Sequence, residues 1–467
     1  MFAKEIYVSR RNALKKAVGS GVLLFLGNDE AAMNYADNQY RFRQDSTFLY
    51  FFDFHVNAGV AAVIDIDNDR ETVFGDEATI DDIVWSGKLQ SIHDTAAEVG
   101  VEETLPCPKL REVLREALAK GRKIHFLPTY RSEQVLKIQD LLGLSPAEQV
   151  NAKSLEFVKA VIGLRLHKQP EEIAEIDAAT TISMQMHLNA MRFAREGMKE
   201  YEVMSEVHRT ALAAGGDLSF PIICTTHGET LHQHRFFGQL DKGGMVLVDA
   251  GAELPSGYCG DISSTFPIGS AFDSRQRAIY QVVHGAHFAA VDMLEPGVPF
   301  RDVHFKACKT IAEGMKSLGM MKGDMDEAVR LGAHALFFQC GLGHSMGLDV
   351  HDMESLGEFW VGYDGVPKST LFGWKSLRLA RPLEPGFVLT IEPGIYFIPS
   401  LIDLWKSEKR FADFIDYDEV EKWREAGGFR NEEDYLITSD GHRRLGEPGM
   451  KPIDIDSVEA FRKAVLA

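Results

Sequence analysis

The sequence predicts an α+β protein of two domains: a smaller N-terminal α/β domain at 1–165 and a larger C-terminal domain at 166–467. In the first third, buried-strand patterns alternate with amphipathic helices. Beyond residue 170 helices and strands no longer alternate strictly, which favours a largely antiparallel sheet. A chain of 467 residues that is 45% hydrophobic is sufficient for two such cores.

In the N-terminal third, three apolar runs have strand character and two periodic segments have helix character. They are the strands Val22–Leu26, Val60–Ile66 and Lys123–Leu127 and the helices Lys109–Lys120 and Ser132–Leu142. The preceding segment contains Arg10 and Arg11 and resembles a twin-arginine export signal. Its apolar run is short, glycine-interrupted and lacks a convincing cleavage site. We therefore interpret it as an amphipathic helix leading into a buried strand, with the export signal as the alternative.

The C-terminal domain opens with a long helix that has Pro170 in its first turn, followed by two glutamates at the positive end of the helix dipole. The further predicted elements are the helices Tyr201–Ala214, Ser274–Met293 and Arg301–Leu318 and the β-rich segments Met245–Gly251, Asp261–Ile268, Phe387–Phe397 and Phe429–Thr438. These segments carry the residues on which the functional prediction depends.

Composition excludes several classes of protein. The chain has 50 Lys and Arg against 69 Asp and Glu, a net charge of −19. Nucleic acid is therefore not expected as the main partner, because phosphate binding needs a basic face. No apolar stretch is long enough for a membrane span, so no membrane partner is expected. The five cysteines have no paired spacing, which favours a reducing, cytoplasmic location without a disulfide framework.

Two aspartates mark the start of a candidate acidic site. Asp249 ends a strongly apolar strand, and Asp261 opens the next one after a glycine-containing turn. Two strands joined in this way can bring the carboxylates face to face, where a metal ion would offset the cost of burying them. The alternative is that Asp249 caps a turn and Asp261 is solvated.

Two histidines lie seven residues apart in a glycine-rich stretch, Gly341 to Asp352. His344 and His351 are candidates for metal binding or proton transfer, because imidazole does both at neutral pH. A single histidine here would more often be structural. The acidic pair upstream favours a functional interpretation of both.

Two glutamates complete the candidate set. Glu392 interrupts an apolar strand, and Glu432 lies within the β-rich segment Phe429–Thr438. A buried glutamate without a partner is costly, so each requires a reason to be there. Two aspartates, one histidine and two glutamates suit a pair of divalent ions bridged by carboxylates, with Mn²⁺ and Zn²⁺ as the obvious ions.

The sequence at these segments resembles the pita-bread metallopeptidases, in the branch of Xaa-Pro aminopeptidases and prolidases. The resemblance extends over nearly the whole chain, including Tyr40–Phe48 and the helix after Pro170, and it is most specific at the four catalytic segments. It implies a curved, largely antiparallel catalytic sheet flanked by helices, and an N-terminal domain that covers the cleft and forms the dimer.

The resemblance also assigns roles to residues. It implies metal ligands at Asp249, Asp261, His344, Glu392 and Glu432. Glu392 would in addition transfer protons, and His232 and His351 would contact substrate and stabilise the tetrahedral intermediate. Arg430 would support the last ligand without touching substrate. Two divalent ions per subunit are expected, with Mn²⁺ first and Zn²⁺ or Co²⁺ as alternatives.

Three features depart from the family pattern. Cys340 stands where the family usually has a third histidine, which puts the usual proton-transfer arrangement in doubt. The loop between the two aspartates is one residue longer than in many members, and Asn431 replaces a usual apolar residue. None of these changes removes a ligand.

The segment Ser376–Gly386 is similar to the prolidase form. Arg378 then matches the arginine that holds the dipeptide carboxylate, for which a bidentate guanidinium is well suited. The alternative for Arg378 is an ordinary surface arginine. We expect a homodimeric Xaa-Pro dipeptidase acting on proline-containing di- or oligopeptides. The alternatives are an Xaa-Pro aminopeptidase for longer peptides and, more remotely, a metal-free amidinohydrolase or a non-catalytic binding module.

Overall fold

The structure is a computed structural model and describes residues 2–233 and 235–467. The chain divides into two compact units. The first runs to Arg165 and also contains Met353–Trp360, and the second comprises Leu166–Asp352 and Val361–Ala467. The predicted domain at 166–467 is therefore interrupted by one short segment that belongs to the first unit.

The described residues of the first unit form a mixed five-stranded sheet in the order β4-β3-β2-β1-β5. Its strands are β1 Val22–Leu26, β2 Ala61–Asp65, β3 Arg70–Phe74, β4 Glu103–Leu105 and β5 Ile124–His125. Its helices are α1 Lys4–Val18, α2 Ser46–Phe52, α3 Ile80–Ser86, α4 Ile92–Glu98, α5 Lys109–Ala119, α6 Ser132–Leu142, α7 Pro146–Ala152 and α8 Leu155–Leu166, the last of which ends one residue inside the second unit. A short 3₁₀ turn, Glu354–Leu356, also belongs to this unit.

The N-terminal segment forms the predicted helix and buried strand, α1 and β1. Arg11 is fully buried, and its guanidinium donates hydrogen bonds to the carbonyls of Phe51 (2.9 Å) and Val99 (2.8 Å) and to the Glu71 carboxylate (2.7 Å). The first arginine of the pair, Arg10, is also buried and donates to the Tyr50 carbonyl (3.0 Å). Both arginines therefore hold α1 against neighbouring elements of the first unit.

In the second unit every named strand pair is antiparallel, as the sequence predicts for the catalytic domain. The strands are β6 Asp217–Leu218, β7 Ile223–Thr225, β8 Met245–Ala250, β9 Ala252–Glu253, β10 Ile262–Pro267, β11 Val388–Ile391, β12 Gly394–Tyr396, β13 Gly428–Arg430, β14 Glu433–Ile437 and β15 His442–Arg444. The helices are α9 Pro170–Phe193, α10 Glu200–Ala213, α11 Ser274–Val291, α12 Phe300–Ser317, α13 Met325–Leu331, α14 Glu358–Val361, α15 Pro399–Ser407, α16 Tyr417–Glu421 and α17 Ile455–Leu466, where α14 begins in the first unit.

Two predicted β segments are each broken into two strands. The segment predicted at Phe387–Phe397 becomes β11 and β12 because Pro393 has no N–H for the ladder and the Glu392 N–H donates to the Leu342 carbonyl instead (2.8 Å). The segment predicted at Phe429–Thr438 becomes β13 and β14, and the Glu432 N–H donates across to the Ser263 carbonyl (3.1 Å). The two breaks lie beside each other, since β11 pairs with β14 and β12 with β13.

No helix in the described part of the chain is long and apolar enough to cross a membrane. All five cysteines lie within the described ranges and are free thiols.

A buried arginine joins the last helix to the sheet. The Arg462 guanidinium donates to the carbonyls of Pro267 (2.9 Å) and Ala194 (3.2 Å), and also to those of Met191 and Ile268. One side chain therefore satisfies carbonyls at the end of α9 and at the end of β10.

We predict that Arg462→Met lowers the free energy of unfolding by about 3–5 kcal/mol, because several buried carbonyls lose their donor. Urea denaturation followed by circular dichroism measures the change. Arg209→Met is the matched control. Its side chain is 62% exposed and pairs with Glu206 on the helix surface, so its loss should change the free energy of unfolding far less. Equal losses in both variants would contradict the structural role of Arg462.

Candidate metal centre

The two aspartates project from one face of an antiparallel strand pair. Asp249 lies in β8 directly opposite Ser263 of β10. Asp261 immediately precedes β10, so it is not within the strand as the sequence suggested, but it lies two residues from Ser263 and shares its face. Both aspartates are buried, and the alternative of a solvated Asp261 is therefore wrong.

The two glutamates occupy the adjacent strand breaks. Glu392 lies between β11 and β12, and Glu432 lies between β13 and β14. Glu432 is buried and accepts a hydrogen bond from the Ser263 hydroxyl (2.7 Å). The Glu392 side chain keeps 19% of its surface exposed, so solvent reaches this carboxylate. Both carboxylates therefore project from residues that lie between strands, at the two neighbouring breaks.

His344 is held with one ring nitrogen directed at these acids. Its backbone N–H donates to the Thr390 hydroxyl (3.2 Å), and its ring Nδ1 lies 3.2 Å from the Ser345 carbonyl. Since a carbonyl only accepts, Nδ1 carries the proton and Nε2 presents a lone pair in the neutral ring. Nε2 lies 3.4 Å from Asp261 Oδ2 and 3.7 Å from Glu392 Oε1, an arrangement suited to a shared cation.

Burial and mutual repulsion dominate the electrostatics. Burial raises the pKa of Asp261 well above its usual range, and the charges of Asp249, Asp434 and Glu392 raise it further. The pKa of Glu432 is also raised well above its usual range, first by burial and then by Asp261 and Glu392. Burial raises the pKa of Glu392 as well, against the opposing effects of His344 and Arg430. A divalent cation would relieve this repulsion and keep the acids ionised.

The donor set meets the requirements of such a cation. The ligand atoms of Asp261, His344 and Glu432 all lie within 4.8 Å of one another. Oδ1 of Asp249 and Oδ1 of Asp261 are buried and have no hydrogen-bond partner among the described residues. Carboxylate oxygens and one imidazole nitrogen suit divalent ions of hard to borderline character. The five residues that the sequence singled out could therefore hold such ions.

Arg430 is the buried cation that supports this set. Its guanidinium donates to Asp249 Oδ2 (2.5 Å), to the Ser263 hydroxyl (2.9 Å) and to the Tyr396 hydroxyl (3.0 Å). Through Ser263 it reaches Glu432, so one guanidinium orients two of the candidate ligands. The expected support of the last ligand, Glu432, is thus indirect, and the direct contact of Arg430 is with Asp249.

Asp434 is a functional candidate that the sequence analysis did not single out. Its Oδ2 accepts from the Thr180 hydroxyl (2.6 Å) and from the Asp261 N–H (3.1 Å), and burial raises its pKa to about 7. The detectable signal was the run of three acids from Glu432 to Asp434 before an apolar strand end. Its middle member, Glu433, is buried against Lys451 (2.5 Å) and Arg444 (2.7 Å).

His351 is a further predicted site residue, and two others, Arg378 and His232, act on it through their charges. Its ring lies 4.4 Å from that of His344, and burial lowers its pKa to about 2, assisted by the charges of His344, Arg378 and His232. Arg378 is half-buried and its charge also acts on Glu392, whereas His232 is exposed. His351 is therefore a neutral imidazole next to His344, and the charges of Arg378 and His232 act on it.

The segment after His351 is anchored by a buried ion pair that the sequence did not reveal. Lys168 Nζ lies 2.9 Å from Asp352 Oδ2, and both side chains are almost fully buried. The Asp352 N–H donates to the Ser345 carbonyl (2.9 Å), next to His344. This pair fixes the turn that carries both histidines.

Cys340 borders the centre as a neutral thiol. Its Sγ lies 3.9 Å from the Tyr396 hydroxyl, which accepts from Arg430. Burial, followed by the charge of Glu392, raises the pKa of the Cys340 thiol to about 12. Cys340 therefore stays protonated and does not serve as a proton acceptor at neutral pH.

Two family models match the chain. Residues 174–439 match the model described as metallopeptidase family M24, and residues 7–125 match the N-terminal domain of aminopeptidase P. The first match covers more than half of the chain and includes all five candidate ligands.

Relatives of two kinds align over nearly the full length. The Xaa-Pro dipeptidase of Homo sapiens is 31% identical over 460 residues, which cover 95% of this chain and 89% of the relative. The Xaa-Pro aminopeptidase of Escherichia coli K12 is 30% identical over 470 residues, which cover 98% of each.

Solved structures of two aminopeptidases have a similar fold. Aminopeptidase P of Escherichia coli with the inhibitor Pro-Leu superposes with a TM-score of 0.81 at 27% identity, covering 100% of this chain and 99% of the other. Proline aminopeptidase P II from Yersinia pestis has a TM-score of 0.79 at 27% identity, covering 99% of this chain and all of the other. The fold is thus the predicted pita-bread architecture with its N-terminal domain. The chain belongs to metallopeptidase family M24, in the branch of Xaa-Pro dipeptidases and aminopeptidases, and is a metal-dependent hydrolase.

Proposed function

We propose that this chain is an Xaa-Pro dipeptidase that hydrolyses the peptide bond before a C-terminal proline. The observation that carries the proposal is Arg378, whose charge acts on both His351 and Glu392. A dipeptide ends in a free carboxylate after proline, and a guanidinium beside the reacting groups is a suitable partner for it. A longer peptide has an amide at that place and gains less from a cation.

The proposed ligands are Asp249, Asp261, His344, Glu392 and Glu432, holding two divalent ions, with Mn²⁺ proposed first and Zn²⁺ or Co²⁺ as alternatives. When bound, such ions lower the pKa of a water molecule and polarise the scissile carbonyl. The oxygen-rich ligand set with a single imidazole supports a hard-to-borderline ion.

The protein's own groups provide the remaining steps. Glu392 is the candidate proton carrier, because its carboxylate is the partly exposed member of the set and burial raises its pKa. His351 is neutral, so its ring can donate one hydrogen bond to the oxyanion of the tetrahedral intermediate without a competing charge. His232 is exposed and can orient the peptide from the solvent side. Asp434 holds the Asp261 backbone in place.

An Xaa-Pro aminopeptidase for longer peptides is the second candidate. It is supported by the Escherichia coli aminopeptidase relative, which aligns over 98% of both chains. The two activities differ in how the site treats the group after proline, so a substrate panel separates them.

We predict that the metal-loaded protein cleaves Ala-Pro. Arg378→Ala should raise KM for Ala-Pro by about 10–100-fold, because the substrate carboxylate loses one charge-assisted bidentate contact. The rate for Ala-Pro-Ala should change little. Lys375→Ala, which removes an exposed cation three residues earlier in the sequence, is the control and should leave the hydrolysis of both substrates unaffected. Cleavage of Ala-Pro-Ala alone would establish the aminopeptidase alternative instead.

Ser263 and Ser264 provide a matched pair for the metal centre. Ser263 connects Arg430 to Glu432, whereas the Ser264 hydroxyl lies on the opposite face without a hydrogen-bond partner among the described residues. We predict that Ser263→Ala weakens Mn²⁺ binding by about 10–100-fold and that Ser264→Ala does not. Titration against a fluorescent chelator measures both. Equal affinities would contradict the supporting role of Ser263.

We also propose that the chain forms a homodimer and acts in the cytoplasm. Residues 7–125 match the N-terminal domain of aminopeptidase P, the domain through which the family resemblance implies dimer formation, and the free cysteines support a reducing compartment. One chain has a mass of 52.1 kDa. Light scattering on the purified protein should give twice that mass, and a value equal to the mass of one chain would refute the dimer.

A further inference from the structure

A second group of metal-ligating side chains lies in the interior of the second unit, outside the carboxylate centre. His304, Cys308 and His334 are all fully buried, and one ligand atom from each lies within 4.8 Å of the others. The group contains no carboxylate, so its chemistry differs from that of the proposed peptidase site.

Local structure brings the three together. His304 and Cys308 are one turn apart on α12 and share a face, and the thiol Sγ lies 3.5 Å from His304 Nε2. His334 lies in the 3₁₀ turn Ala333–Leu336, which follows Gly332 in a left-handed conformation that favours glycine. The turn directs the chain back towards the buried face of α12.

His334 is the member whose position requires an explanation. Its two ring nitrogens are buried, and no hydrogen bond of normal geometry reaches either of them from the described residues. The backbone acceptor that acts on the ring is the Val329 carbonyl, which also accepts from the Trp374 indole N–H (3.3 Å). Because a carbonyl only accepts, Val329 can pair with one ring nitrogen at most, and the other nitrogen, which carries a lone pair in the neutral ring, points to a missing ligand.

The surroundings restrict the charge of that ligand. The Trp374 ring packs edge-on against His304 (5.0 Å) and His334 (6.3 Å), and the Phe338 ring lies 5.8 Å from His304. Burial lowers the pKa of each histidine to about 3, so both imidazoles are neutral. Cys308 can contribute one negative charge when a metal displaces its proton. A monovalent cation gives a neutral complex, whereas a divalent one leaves a net charge in an apolar interior.

We propose that His304, Cys308 and His334 form a binding site for a soft monovalent metal ion, Cu⁺, held by two imidazoles and one thiolate. Thiolate and imidazole ligands suit copper, and Zn²⁺ in structural sites requires a fourth ligand that this group does not supply. The site is independent of the proposed peptidase function.

Trp374 also borders open space. It lines two cavities of about 440 Å³ and 580 Å³. One cavity also contains Arg301, Tyr363 and Arg381, and the other contains Phe305 and Lys309. The indole that packs against both histidines therefore also lines both cavities.

The test uses full-length protein produced in cells supplied with copper, so that burial does not prevent loading. We expect one Cu⁺ per chain that withstands a colorimetric Cu⁺ chelator, with X-ray absorption showing one sulfur and two nitrogen neighbours. Cys308→Ser should weaken Cu⁺ binding by more than about 100-fold, because losing a direct ligand lowers the affinity more than losing a residue that only orients a ligand. Cys224→Ser, which removes another fully buried thiol, should leave it unchanged.

Two variants keep the test decisive. Cys340→Ser should retain Cu⁺, and loss of copper in that variant with retention in Cys308→Ser would show that Cys340 supplies the sulfur ligand and would overturn the proposal. His334→Ala should also lose Cu⁺ and tests the site without altering a thiol. Xaa-Pro hydrolysis should be unchanged in Cys308→Ser, which verifies that this variant folds. Zn²⁺ bound through Cys308 in place of copper, or an absorption spectrum without sulfur, would also overturn it.

Discussion

Four carboxylates meet in the interior of the second unit, and the repulsion among them is the cost that the surrounding structure must offset. Asp261 illustrates it: burial and three neighbouring acids all raise its pKa. Arg430 supplies one compensating charge and orients Asp249 directly and Glu432 through Ser263. One guanidinium does not balance four acids, so the arrangement is complete only with cations bound between them.

The fold is built so that these acids keep their positions. Antiparallel pairing places Asp249 and Asp261 on one face, and two neighbouring strand breaks expose Glu392 and Glu432 beside them. The breaks are stabilised by cross-connections, since the Glu392 N–H reaches Leu342 and the Glu432 N–H reaches Ser263. The paired strands and the breaks between them thus position the candidate ligands, as a catalytic constellation requires.

Much of this could be predicted from sequence where the signal is local. Periodicity identified long elements such as the helix after Pro170, and acids within apolar strands identified Asp249 and Glu392. Register and strand breaks could not be read, because they depend on pairing between distant segments, as at Ser263 and Glu432. Asp434 was overlooked because its role depends on contacts across the fold. The His304 group escaped notice because one of its members lies in a distant turn and ordinary core histidines have the same pattern.

The account depends on cations occupying the carboxylate set. The most direct measurement is X-ray diffraction at the manganese absorption edge from crystals grown with Mn²⁺. We expect two anomalous peaks per chain among the side chains of Asp249, Asp261, His344, Glu392 and Glu432. Crystals that show no anomalous peak among these side chains at saturating Mn²⁺, in protein that still cleaves Xaa-Pro peptides, would contradict the metal centre.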